Sequence, residues 1–129
     1  MDFELDFYSS EVERVEVAGD TLSVVFSAAH GLRAVAPGLA PVRGYASGVV
    51  LRFEAARWEG DPARFFGGLA DGWLEVASTK RARLRLPLSE TGGVRAELRL
   101  ISGVSLLLAA AAVYCDAPAA EAFTESYAC

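Results

Sequence analysis

The sequence predicts an antiparallel β-sandwich or flattened barrel of about seven or eight strands, with at most one short C-terminal helix. Two observations carry this reading. Five separate segments alternate apolar and polar residues with period two. The glycine-containing turns between them have the lengths that keep the apolar faces together.

Taken in order, Phe3, Leu5 and Phe7 alternate with Asp2, Glu4 and Asp6, the pattern of a half-buried strand. Val15 and Val17 have to share a face with Leu22 and Val24, which pairs odd positions with even ones and needs an even loop. Gly19-Asp20 supplies it, so Val17 is expected opposite Leu22 with both inside. That strand continues through Phe26 and Ala28, and Pro37 to Gly44 reads as a loop. Val49, Leu51, Phe53 and Ala55 form the next strand. Arg57 to Asp71 reads as a long connection to a short strand from Trp73 to Ala77.

Ala82, Leu84, Leu86 and Leu88 alternate with arginines, and so do Val94, Ala96, Leu98 and Leu100 with Arg95, Glu97 and Arg99. Both apolar sets are even, so the loop between them has to be odd. Thr91-Gly92-Gly93 reads as a three-residue hairpin. Ser102-Gly103 then turns the chain into Val104 to Ala112, whose leucines and alanines favour a helix by propensity. The close turn after a strand argues instead for a strand that is apolar on both faces. A short helix is expected near Pro118 to Phe123, with the proline in its first turn.

Length and composition agree with one β domain over residues 1–129. With 53% hydrophobic and 22% charged residues, disorder and coiled coil are excluded, and two cysteines are too few for a disulfide framework. The net charge of -5 argues against nucleic acid and against acidic membrane surfaces as partners. The N-terminus lacks the basic and apolar regions of a signal peptide, and no apolar run reaches the length of about 20 residues that a spanning helix needs. A cytoplasmic protein with Cys115 and Cys129 as free thiols is the expectation. Eleven arginines against Lys80 alone, with 23 alanines, fit the coding bias of a GC-rich bacterium.

Chemistry-bearing patterns are sparse. His30 is the only histidine, and no serine or cysteine lies in a nucleophile elbow. One histidine and two cysteines fourteen positions apart give no zinc spacing, so neither a metal nor another cofactor is expected. Asp61, Asp71 and Glu75 are candidates for an acid–base pair, though acidic residues are common in exposed loops. Catalytic residues are therefore not assigned. Trp58, Phe65, Phe66 and Trp73 are candidates for an apolar pocket at one end of the sheets, or for a plug of that end.

Charge distribution is more informative. Residues 1–20 carry seven acidic side chains against Arg14, whereas residues 80–99 carry Lys80, Arg81, Arg83, Arg85, Arg95 and Arg99 against Glu90 and Glu97. Two outcomes are open: the acidic N-terminal strands neutralise the arginines within one sheet, or Arg81, Arg83, Arg85, Arg95 and Arg99 form a docking face for a partner. Beside Arg95, Glu97 and Arg99 an apolar row must stand, either Leu106, Leu108 and Ala110 or Leu107, Ala109 and Ala111. Phe123 or Tyr127 could fold back as its lid, or a second copy of the chain could cover it.

The acidic first strand, the Gly-Asp hairpin, Asp71-Gly72-Trp73-Leu74 and Leu84-Arg85-Leu86-Pro87-Leu88 together resemble small uncharacterised bacterial β-sandwich proteins, some of them immunity-like. The resemblance implies a non-catalytic protein-binding module that occludes a toxin or another partner, and it assigns no residue a role. The alternative is a small-molecule-binding barrel, or an enzyme, using the aromatic end.

Overall fold

Twelve strands take up the alternating segments, and every ladder between them is antiparallel in the computed structural model, which describes residues 2–126. They are β1 (Phe3–Asp6), β2 (Glu11–Ala18), β3 (Thr21–Arg33), β4 (Val42–Ala46), β5 (Val50–Glu54) and β6 (Arg57–Glu59). Then follow β7 (Gly67–Val76), β8 (Thr79–Arg81), β9 (Arg83–Leu86), β10 (Leu88–Leu100), β11 (Ser105–Cys115) and β12 (Phe123–Glu125). Seven have five residues or more, and the five shorter ones extend their neighbours.

The ladders close into a ring in the order β3-β2-β7-β10-β11-β5 and back to β3. A second sheet, ordered β12-β4-β3-β1-β9, grows from the far half of β3. The protein is thus a flattened barrel with a sheet attached through one shared strand. The apolar halves of the alternating segments meet in one core, including Phe7, Leu22, Phe53, Leu84 and Leu98, all fully buried. Each such side chain contributes about 1.5–3 kcal/mol by leaving water.

The Gly19-Asp20 turn has the expected register, with Val17 opposite Leu22 and Val15 opposite Val24. Val17 itself is not inside: it is 44% exposed. The reason is that β2 pairs with β7 only at Glu11 and Val12, so the rest of β2 has an edge with no strand beside it. That edge carries Glu13, Arg14 and Glu16, with Arg14 paired to both glutamates, and such charges disfavour edge-to-edge association.

The expected hairpin at Thr91-Gly92-Gly93 does not form. Chain from Leu88 to Leu100 is one strand, and the two glycines, at φ of +93° and +88°, make a bulge opposite β11 between Thr91 and Val94. Leu88 and Val94 are buried on either side of the bulge, as they would be across a three-residue loop, so parity alone does not separate the two. Residues 104–114 are extended, as the Ser102-Gly103 turn requires. The connection Arg57 to Asp71 contains β6 and the first half of β7. Near Pro118 there is only a 3-10 turn, Ala120–Ala122, which leads into β12.

Two glycines set how closely the second sheet packs. Gly31 and Gly44 are directly opposite in β3 and β4, and the rings of Phe3 and Phe123 lie over them, edge to face at 6.1 Å. A Cβ on Gly31 would run into the Glu4 carbonyl oxygen and the Phe3 ring. Gly31→Ala is therefore expected to lower stability by about 3 kcal/mol, because β1 has to move out. Urea denaturation of the variant measures this, and a loss below about 0.5 kcal/mol would contradict the close approach.

Candidate functional site

The outer face of β6, β11, β10, β7 and β8 is the part of the surface where apolar, aromatic and charged groups converge. Direct cross-strand partners share a face, so the ladders define rows across it. One row runs Glu59, Leu107, Glu97, Trp73; the next runs Arg57, Ala109, Arg95, Glu75, Lys80. A third contains Ser105, Arg99 and Asp71. Leu107, Ala109 and Ala111 are exposed beside Arg95, Glu97 and Arg99, the second of the two alternatives above. No described residue of the C-terminal segment covers them: Phe123 packs on Phe3 under Arg33 instead, and Tyr127 lies outside the described residues.

Small side chains on β11 between long ones on β6 and β10 leave a trough. Two recesses, of about 620 and 400 Å³, share Arg57, Arg95 and Ala109 and so form one continuous depression. Trp58 and Trp73 line the smaller one. Trp73 is held by its indole N–H, which donates to Glu97 Oε1 at 3.2 Å, and Lys80 Nζ sits 4.3 Å over its ring. Asp71 pairs with Arg99 at 3.5 Å. Among the described residues, Arg57, Arg95, Glu59 and Glu75 form no ion pair.

Left-handed backbone clusters at the larger recess. Ala55 at φ +49°, Ala77 at +50° and Ser78 at +66° line it together with Gly92 and Gly93. Ala77 and Ser78 form the two-residue turn joining β7 to β8, a place where glycine or asparagine is usual. Such positions cost an ordinary residue about 1–2 kcal/mol, and strain of this kind tends to gather at functional surfaces. Nothing in the sequence around Ala77-Ser78 advertises the turn.

The five candidate arginines do not form one stripe. Arg83 and Arg85 stand on β9 opposite Asp6 and Glu4 of β1, and Arg83 reaches Asp6 at 3.5 Å and Glu4 at 3.9 Å. The acidic N-terminal strand is thus their counter-charge. Arg81 is on β8 opposite Leu74, and only Arg95 and Arg99 lie on the trough face. Of the four candidate aromatics, Trp73 stands on the outer face, whereas Trp58, opposite the buried Leu108, packs against the core and only borders the recess. Phe65 is fully buried in the core and Phe66 is exposed. Arg57 and Glu59 escape sequence reasoning, because three residues are too short for a period to register.

His30 is buried in β3, its ring tilted against Tyr45. Its Nδ1 is 3.0 Å from the Tyr8 carbonyl oxygen and donates to it, while its backbone N–H donates to Ser10 Oγ at 2.9 Å. Ser10 Oγ in turn donates to the Asp6 carbonyl at 2.6 Å, so serine and histidine are both committed to backbone. Asp61 caps the 3-10 turn Pro62–Arg64, accepting from the Ala63 N–H at 3.0 Å. Asp71 and Glu75 are four positions apart on β7, about 13 Å, too far to share a proton. Among the described residues no three histidine, cysteine or acidic groups gather as metal ligands, and no helix is long and apolar enough to cross a membrane.

Cys115 is a buried free thiol whose pKa is pushed up to about 12, first by burial and then by the neighbouring Asp116 carboxylate. It stays protonated and is a poor nucleophile at neutral pH. In a Cys129→Ser background, iodoacetamide should modify Cys115 slowly in the native protein up to pH 9 and rapidly once urea unfolds it. Fast native alkylation at neutral pH would contradict the burial. At the turn, Ala77→Gly should raise stability by about 1 kcal/mol, since glycine takes the left-handed conformation without the Cβ clash. Thermal unfolding compared with wild type checks the sign.

Comparison of the chain with protein-family models, with curated proteins and with solved structures found no match, so its functional reading rests on this face.

Proposed function

We propose that the protein is a non-catalytic protein-binding module that engages another polypeptide through the outer face of β6, β11, β10, β7 and β8. The uncovered row Leu107, Ala109 and Ala111 is the observation that carries this reading. An apolar row flanked by tryptophan and arginine has the composition of an interaction surface: aromatic and arginine side chains supply most of the energy where proteins meet. In its more specific form the module is immunity-like and works by occluding the working site of its partner. An acidic chain of net charge -5 is steered toward a basic one.

A second reading is favoured by the recess of about 400 Å³, which Trp73 lines from the outer face and Trp58 borders from β6. Aromatic walls and a few convergent charges also suit a small molecule. Native mass spectrometry of protein taken gently from cells would then show a small adduct that Trp73→Ala abolishes.

The protein-binding reading is tested by photo-crosslinking in cells. A benzophenone amino acid in place of Ala111 should give a covalent adduct to a polypeptide. The same group in place of Tyr8, which is exposed beside the buried His30 and away from the trough, should give none. Adducts at neither position, or equally at both, would overturn the reading.

A further inference from the structure

The charges on the trough face are arranged so that the face complements itself. Counting outward residues from the ladders, Arg57, Arg95, Arg99 and Lys80 are matched by Glu59, Glu97, Asp71 and Glu75. The face is therefore neutral, although the chain carries -5. A neutral face does not select an acidic or a basic partner by its overall sign. Its sign changes row by row instead: Glu59 and Glu97 flank Leu107, whereas Arg57 and Arg95 flank Ala109. The two rows are about 7 Å apart along the strands.

We infer that the polypeptide this face engages is a second copy of the same chain, bound face to face about a two-fold axis that lies in the interface, runs across the strands and passes between these two rows. This rests on the protein-binding reading and names its partner. The rotation exchanges the rows and keeps the strand order. Glu59 then lies over Arg57 of the second copy and Glu97 over Arg95. Leu107 enters the space above Ala109, which lines both recesses of the trough. Each contact occurs twice, as an isologous interface demands.

Three further observations fit one another here. Arg57, Arg95 and Glu59 form no ion pair among the described residues, and the rotation gives each of them a partner. Glu97 spends one oxygen on the Trp73 indole, which fixes the carboxylate and leaves the other oxygen for a guanidinium. The row of Leu107 and the alanines loses its exposure without any segment of its own chain having to move.

Sedimentation equilibrium from micromolar to submillimolar protein, with two charge reversals, decides the matter. Wild type should approach twice the 13.7 kDa chain mass as concentration rises. Arg95→Glu alone sets the new carboxylate against that of Glu97 in both symmetry-related contacts, and Glu97→Arg alone sets a new guanidinium against Arg95. Each variant should weaken self-association at least tenfold while retaining a wild-type circular dichroism spectrum. Mixed in equal amounts the two variants should dimerise again, because in the mixed pair both contacts join opposite charges. A wild type that stays monomeric, or a mixture that stays monomeric while wild type dimerises, would overturn the proposal. The crosslink at position 111 separates this from the broader reading. An adduct to a different protein, with a monomeric wild type, removes the second copy and keeps the binding module; no adduct at all removes both.

Discussion

Everything else in this fold depends on β3 making hydrogen bonds in two sheets. Its first half pairs with β2 on one edge and β5 on the other, which closes the barrel. Its second half pairs with β4 and β1, which starts the attached sheet. Thirteen residues have to supply apolar side chains first to the barrel interior, through Leu22, Val24 and Phe26, and then to the second layer, where Ala29 and Gly31 are buried. The change of parity between Phe26 and Ala29 is the bend between the layers. Small residues at that bend are a physical need, because Phe3 and Phe123 pack straight onto the backbone there. With the bend in place β1 falls beside β9, and the acidic N-terminus meets the arginines of residues 83–85.

Alternation is legible because it is local. Phe3 to Asp6, Leu22 to Phe26 and Leu51 to Phe53 all put their expected faces inside. Loop parity determines the register at Gly19-Asp20 but does not say whether Val17 is covered, since that depends on how far β7 accompanies β2. The Gly92-Gly93 bulge looks like a hairpin in sequence for a related reason. Both solutions leave Leu88 and Val94 inside, and the choice is made by β11, which offers a partner along the whole of β10. Ala77-Ser78 is invisible from the other side, as a tight turn built without the residues that normally signal one. In each case the missing information is the identity of the neighbouring strand.

The candidate site is legible in its apolar part and not in its charges. That one face of β11 has to be apolar follows from Leu106 to Ala112 alone, whichever register holds. The arginines, by contrast, group in the sequence by closeness along the chain, and the fold sorts them by strand. Arg85 and Arg95 are ten positions apart and stand in different sheets. Arg57 and Arg95 are far apart in sequence and stand on either side of Ala109. The pattern that brings this about is short: Arg57-Trp58-Glu59 and Arg95-Ala96-Glu97 both place an arginine two residues before a glutamate. Since β6 and β10 are each antiparallel to β11, they run parallel to one another. Equal spacing in parallel strands aligns arginine with arginine and glutamate with glutamate.

That alignment has an energetic consequence which bears on why the face is built as it is. Two guanidinium groups flanking one alanine are about 10 Å apart across two strand spacings, close to the screening length at physiological salt. Alone they repel weakly, and so do the two carboxylates of the next row. The opposite alignment of the two pairs would put unlike signs on either side of β11; elsewhere in the molecule charges are satisfied by cross-strand neighbours, Arg83 by Asp6 and Arg99 by Asp71. Here β6 and β10 hold like with like across β11, and apart from Glu75 directly opposite Arg95 the compensation is not offered at any direct cross-strand position in the sheet. Water and ions supply some of it at little gain, since exposed ion pairs contribute about 0–1 kcal/mol. A surface that carries the same rows in reverse order supplies all of it and covers the leucine and alanines in the same step. The protein's own face, turned over, is such a surface.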